Sequence, residues 1–177
     1  RSDGYHAFES LMATVTLYDD LLIRPGDDSI NLTCDDPSLP TGSDNLVHRA
    51  ASLLAGQSDT DADVDIELVK RIPAQAGLGG GSADAAGTLM GLNELWSLHW
   101  SRTELTRLAA MLGSDVGFFL AGPLAICTGR GRCDRQRQWW STAAHCCGTR
   151  CRRRVTTRRS SSSTWVRPVN PPCSSAS

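Results

Sequence analysis

Lysine is almost absent from this 177-residue chain: Lys70 is the only one, and every other strongly basic residue is arginine. No Gly-Lys-Ser/Thr triplet closes a glycine loop anywhere, which excludes a Walker A phosphate site. No apolar run is long enough to span a bilayer and no signal-peptide pattern opens the chain, so no membrane partner is expected. The cysteines number seven, an odd count that does not pair off, so neither a disulfide framework nor an oxidising compartment is read from them, and the expected location is the cytoplasm. A zinc site from His145, Cys146, Cys147 and Cys151 lacks the paired spacing such sites use. The acidic stretch from Asp59 to Asp63 lacks the glycine and terminal glutamate of an EF-hand. The first residue is Arg1 rather than Met, which sets the expectation that the natural N-terminus lies upstream.

Charge is distributed unevenly. Residues 1–132 carry 9 basic and 18 acidic side chains, whereas residues 133–177 carry 9 basic and 1 acidic. Residues 133–177 also contain no Leu, Ile, Met, Phe, Tyr, Lys or Glu, hold five of the seven cysteines, and include Arg152-Arg153-Arg154 and a serine run from Ser160 to Ser163. No apolar period of 2 or 3.6 survives there, and such a composition buries too little apolar surface to offset chain entropy. Residues 132–177 are therefore expected to be a low-complexity basic tail, either disordered or the product of a shifted reading frame. A nucleic-acid partner for the tail is the weaker reading.

Residues 1–131 are patterned as one α+β domain. Leu11, Ala13, Val15 and Leu17 alternate with polar neighbours, and Leu21–Ile23 and Ile30–Cys34 are two further short strands. Asp44 is placed as the N-cap of a helix carrying Leu46, Val47, Ala50, Leu53 and Leu54, with Gly56 at its end. Val64, Ile66 and Leu68 alternate as a strand. A helix from about Ser82 presents Ala85, Leu89, Leu92 and Trp96, and Ser101-Arg102-Thr103-Glu104 is a capping box for the next, which Gly113 stops. Phe118–Leu120 and Leu124–Cys127 look like buried strands. The absence of regular βαβ alternation argues for a mixed sheet packed with helices rather than a doubly wound one.

The chemistry concentrates between Pro73 and Ala86. Gly77, Gly79, Gly80 and Gly81 precede Ser82 and an Ala-rich helix. A helix N-terminus presents unpaired N–H groups and partial positive charge, and glycines let the backbone close around an anion. The spacing is not a dinucleotide fingerprint, because Ser82 stands where Gly or Ala is needed. Pro73-Ala74-Gln75-Ala76-Gly77-Leu78-Gly79-Gly80-Gly81-Ser82-Ala83 instead resembles the signature of the GHMP small-molecule kinases. Three further segments fit one branch of that superfamily, whose substrate is a cytidine-diphosphate methylerythritol: Asp3-Gly4-Tyr5-His6, Asp44-Asn45-Leu46-Val47 with Arg49-Ala50-Ala51, and Gly113-Ser114-Asp115-Val116-Gly117-Phe118-Phe119. The similarity ends near Gly129-Arg130-Gly131.

The resemblance implies a GHMP kinase N-terminal domain that uses ATP and magnesium to phosphorylate a small-molecule alcohol. It implies nucleotide binding by residues 73–83, a contact of Ser82 with phosphate or metal, a catalytic carboxylate at Asp115, and cytidine binding by Tyr5 and His6. On residue chemistry alone, Asp115 is equally a helix cap or turn carboxylate, and Tyr5 and His6 are an ordinary strand start. Asp84 is expected to act on the helix N-terminus through its charge, and Lys70 to be a solvated or phosphate-steering cation. The resemblance also implies a catalytic lysine with a nearby asparagine on a strand before Asp3, and a C-terminal domain after residue 131. Neither is in this chain, so little or no turnover is expected of it. The alternatives are another GHMP kinase (of mevalonate, homoserine or a sugar) and an ATP-binding remnant without catalysis.

Overall fold

The computed structural model describes residues 8–129, 132–134, 155–159 and 162–166. Twelve elements are present in these residues: β1 (Phe8–Ala13), β2 (Asp20–Pro25), β3 (Ile30–Cys34), α1 (Leu46–Ser58), β4 (Val64–Val69), α2 (Gly80–Leu95), α3 (Arg102–Leu112), α4 (Val116–Ala121), β5 (Leu124–Gly129), β6 (Arg132–Asp134), β7 (Val155–Arg159) and β8 (Ser162–Val166). They form a sheet ordered β1-β5-β6 and a mixed sheet ordered β3-β4-β2-β7-β8, so the architecture is α+β as the pattern predicts. No described helix is long and apolar enough to cross a membrane.

Alternation on the strands builds the core. Leu21 and Ile23 on β2, Leu32 on β3, and Val64, Ile66 and Leu68 on β4 are all buried in one cluster with the helices. In register, Ile23 lies opposite Ile66 across the antiparallel β2–β4 pair. Helix α2 is buried on almost every side, because α1, α3, α4 and β2 all pack on it. Small residues make that crowding possible: Ala50 and Ala51 on α1 and Ala85 and Ala86 on α2 are fully buried. A side chain on Gly87 would begin 3.0 Å from Leu21 Cδ1, so α2 approaches β2 more closely than a larger residue allows without displacement.

Several boundaries differ from expectation. The cap of α1 is Asn45, not Asp44: its Oδ1 accepts from Val47 N at 2.9 Å while its Nδ2 donates to Pro40 O at 2.7 Å, a double role a carboxylate cannot fill. Helix α1 passes Gly56, beside which there is open space, and stops after Ser58 where Asp59 turns left-handed. Helix α2 begins at Gly80, two residues before Ser82. β1 ends at Ala13, short of Leu17, and Thr14 N donates to Pro123 O just before β5. Residues 118–120 belong to α4 rather than to a strand, because a short apolar run enclosed by α3 and α2 is buried whichever way it winds. The capping box of Ser101 and Glu104 and the stop at Gly113 form as expected.

The tail contributes β7, which runs parallel to β2 with Leu21 opposite Val155, and β8, which pairs antiparallel with β7. Both segments hold β-branched residues, and β8 adds Trp165, which suits a pleated strand. Residues 145–151, where the zinc reading falls, and Arg152-Arg153-Arg154 lie outside the described residues.

An ionic cluster sits inside this framework. Lys70 Nζ lies 2.5 Å from Asp19 Oδ2 and 2.8 Å from Asp84 Oδ2, with the three side chains 8%, 1% and 5% exposed. Lys70 is thus a buried structural cation, not a solvated one. Asp84 is its partner rather than a charge facing the helix N-terminus. Burial pushes the Asp84 carboxyl up to about 7, against the opposing pull of the Lys70 ammonium. Burial also works to lower Lys70, but the two carboxylates outweigh it and hold the ammonium above its usual value. For Asp19 burial is likewise opposed and outweighed, by N–H donation from Arg71 and Ile72 and by Lys70, so this carboxyl is held below its usual value.

These directions set a pH dependence. A carboxyl raised in the fold contributes stability that is complete below its unfolded value of 3.8 and is lost as pH rises through about 7. The Asp19 contribution is lost only at acid pH, and the Lys70 contribution only above its ordinary 10.5. Between pH 4 and 7 the wild-type chain should therefore lose stability relative to Asp84→Asn, with a slope approaching about 1.4 kcal/mol per pH unit. Urea unfolding of both proteins across that range measures it, and parallel stability curves would refute it.

Candidate functional site

Where β4 ends, the chain turns through Pro73–Gly79 into α2. Gln75, Gly77 and Gly79 all have positive φ, at 60°, 72° and 69°. Gly79 is the N-cap of α2 and has no side chain with which to cap the first-turn amides of the helix. The first bond back into the helix runs from Ala83 N to Gly79 O at 2.8 Å, which leaves the N–H groups of Gly80, Gly81 and Ser82 ahead of it. Two glycines are required sterically as well. A Cβ on Gly79 would lie 3.0 Å from Phe119 Cζ, and one on Gly80 would lie 2.9 Å from Ile72 Cγ2. An uncapped helix start behind a left-handed glycine loop is an arrangement that fits a phosphate.

The loop borders a cavity of about 250 Å³. Gly77, Leu78, Gly79 and Ala83 form one side, and Asp115, Phe118 and Phe119 another. Thr14, Val15, Leu17 and Tyr18, from the link between β1 and β2, close a third, with Asp19 and Asp84 of the buried cluster also on the lining. The remaining loop residues, Pro73, Ala74, Gln75, Ala76, Gly80, Gly81 and Ser82, flank the cavity without lining it. Pro73–Leu78 are exposed, and Ser82 is half-buried in the first turn of α2.

Asp115 takes the N-cap position of α4 but makes no capping hydrogen bond with its side chain. Its Oδ1 accepts instead from Ser114 Oγ at 3.0 Å, and the residue is exposed at the cavity. The helix therefore leaves this carboxylate open to a ligand. Helix α4 is held by the buried side chains of Val116, Phe118 and Leu120 and by Arg102 Nη1, which donates to Leu120 O at 3.2 Å. Phe118 and Phe119 meet edge to face with centroids 5.0 Å apart. Tyr5 and His6 lie outside the described residues.

Sequence reasoning singled out the loop and Asp115, which the fold brings to one cavity, and did not anticipate Asp19, the pairing of Lys70 with Asp84, or the aromatic wall of α4. The signal for Lys70 was its solitude. A compact ammonium fits between two buried carboxylates, where a planar guanidinium needs a wider fork.

Comparison with known proteins agrees with this geometry. Residues 45–123 match the family described as the GHMP kinases N terminal domain. The 4-diphosphocytidyl-2-C-methyl-D-erythritol kinase of Prochlorococcus marinus (strain MIT 9313) is 52% identical over 133 residues, which are 74% of this chain and 42% of that protein. The chain thus spans less than half the length of this curated relative. A crystal structure of 4-(cytidine 5'-diphospho)-2C-methyl-D-erythritol kinase superposes with a TM-score of 0.66 at 41% identity, covering 76% of this chain and 47% of that one. A homoserine kinase from Cytophaga hutchinsonii shares the fold, with a TM-score of 0.58 at 18% identity over 74% of this chain and 51% of that one. The uncapped glycine loop, the open carboxylate before α4 and these likenesses agree: the chain carries a GHMP kinase N-terminal domain.

Proposed function

We propose that this domain serves the ATP-dependent phosphorylation of the tertiary hydroxyl of 4-diphosphocytidyl-2-C-methyl-D-erythritol, a step of non-mevalonate isoprenoid biosynthesis. The observation that carries the reading is that the glycine loop and Asp115 face one cavity. The names of the similar proteins support the choice of substrate.

Each residue then has a distinct task. The amides at the start of α2 donate to the phosphate oxygens, and the helix dipole adds positive potential there. The Asp115 carboxylate orients the attacking hydroxyl and accepts its proton. Val15, Leu17 and Leu78, all exposed at the cavity, offer apolar surface to the bound molecules. Tyr5 and His6 are assigned to the cytidine through the resemblance, by stacking and edge hydrogen bonding. Magnesium, when bound, offsets phosphate charge. Ser82, at the helix start, is assigned through the resemblance to help hold it.

Two measurements test the assignment. Gly79→Val places a branched side chain against Phe119 at a left-handed position, and should weaken Mg-ATP binding at least tenfold by calorimetry. Unchanged affinity would remove the loop from the nucleotide site. Transfer of labelled phosphate should favour the cytidylated erythritol over mevalonate, homoserine and hexoses. Selectivity rather than rate is the readout, and preference for one of the other alcohols would overturn the substrate. Asp115→Asn should abolish whatever transfer the chain retains, with ATP affinity unchanged.

A further inference from the structure

The chain's single lysine stands directly behind the glycine loop with its ammonium committed to two carboxylates. Asp19, just before β2, also accepts from Arg71 N at 2.5 Å and from Ile72 N at 2.8 Å. Those are the last two backbone N–H groups before Pro73, so Asp19 fixes the point where the loop leaves the sheet. Asp84 lies on α2, just past its first turn, so its pairing with Lys70 fixes the element into which the loop runs. The helix start rests on the same cluster: a Cβ on Gly80 would lie 3.4 Å from Lys70 Nζ and closer still to Ile72. Between these fixed points the loop holds Gln75, a non-glycine residue, at a φ of 60°. Such a conformation persists only where its surroundings determine it.

We propose that Asp19, Lys70 and Asp84 are positioning residues that clamp both ends of the glycine loop, and that Lys70 acts from behind the loop rather than as a phosphate ligand. Desolvating two carboxylates and one ammonium is costly, so the cluster adds little net stability. What it supplies is geometry. It ties the end of β4, the start of β2 and the first turns of α2 to one another at hydrogen-bond distances, which sets the direction of the amides at the start of α2. The inference deepens the proposed nucleotide site, and only its ATP-binding arm rests on that reading.

The test compares the full chain with Asp84→Ala, Lys70→Met, their double variant and Asp84→Asn. Without nucleotide, hydrogen exchange at residues 73–83 should accelerate tenfold or more in Asp84→Ala and Lys70→Met, with the α3 amides unchanged. Mg-ATP affinity should fall at least tenfold in each, and no further in the double variant, because both substitutions release one clamp. Asp84→Asn keeps an oxygen for the ammonium and should stay within threefold of wild type in both readouts. Wild-type exchange rates in Asp84→Ala would overturn the clamp. So would full ATP affinity in Asp84→Ala beside a loss in Lys70→Met, which would make Lys70 a direct phosphate ligand. If Lys70→Met fails to fold with two carboxylates left unpaired, the contrast between Asp84→Ala and Asp84→Asn decides. If the wild-type chain does not bind Mg-ATP, the nucleotide reading falls while the exchange result still judges the clamp.

Discussion

One ammonium buried between two carboxylates sets the relation of β2, β4 and α2 and, through them, the cavity. The antiparallel register places Asp20 opposite Val69, and one more step brings Asp19 beside Lys70. Asp19 then turns its other oxygen to the N–H groups of Arg71 and Ile72, which answers two donors where strand pairing ends. The cluster has one cation for two anions, and the imbalance falls on Asp84, whose burial raises it, whereas Asp19 is also held by the N–H groups of Arg71 and Ile72. A proton there relieves it. The cluster is therefore electrically complete at mildly acid pH and carries an excess negative charge above neutrality. That excess lies beneath a loop suited to anions, so the helix amides must overcome it as well as the phosphates' own hydration.

Most of the scaffold was legible because its signals are local. Alternation in β2, β3 and β4, the Ser101–Glu104 capping box and the glycine after α3 are each contained within a few residues. The failures occur where a local pattern admits two answers. Phe118-Phe119-Leu120 is apolar throughout and lies in a short helix because α2 and α3 enclose it, which no periodicity within the run reveals. Asp44 and Asn45 are both good caps, and the carbonyl of Pro40, which needs a donor, favours the amide.

The site divides in the same way. The glycine loop stands out through residue type and spacing, whereas Asp115 is singled out only through the family resemblance. The cluster does not stand out, because Asp19 and Lys70 are 51 positions apart and Lys70 and Asp84 are 14. Their meeting is a product of strand register and of the turn that returns the chain as α2. The aromatic wall was hidden by the same misassigned run: only when residues 118–121 wind as a helix does Phe119 come over Gly79, within reach of the cavity.

The glycines of the loop answer separate demands. Gly77 has open space around its missing Cβ, so its requirement is conformational, set by a φ of 72°. Gly80 has no positive φ, and its requirement is spatial, set by Ile72 and Lys70 behind it. Gly79 bears both, with φ at 69° and Phe119 pressed against it. Gly81 bears neither severely, since its nearest neighbour, Leu46 Cδ1, is 3.6 Å away at ordinary contact distance. A loop constrained at every turn by backbone and packing presents its N–H groups in a fixed direction, and preorganised dipoles cost no reorganisation when charge arrives. On the proposed reading, such a cradle meets phosphate with neutral atoms and a helix dipole. On that reading the chain's one lysine is free to be buried behind the loop, where its charge sets geometry instead of meeting the ligand.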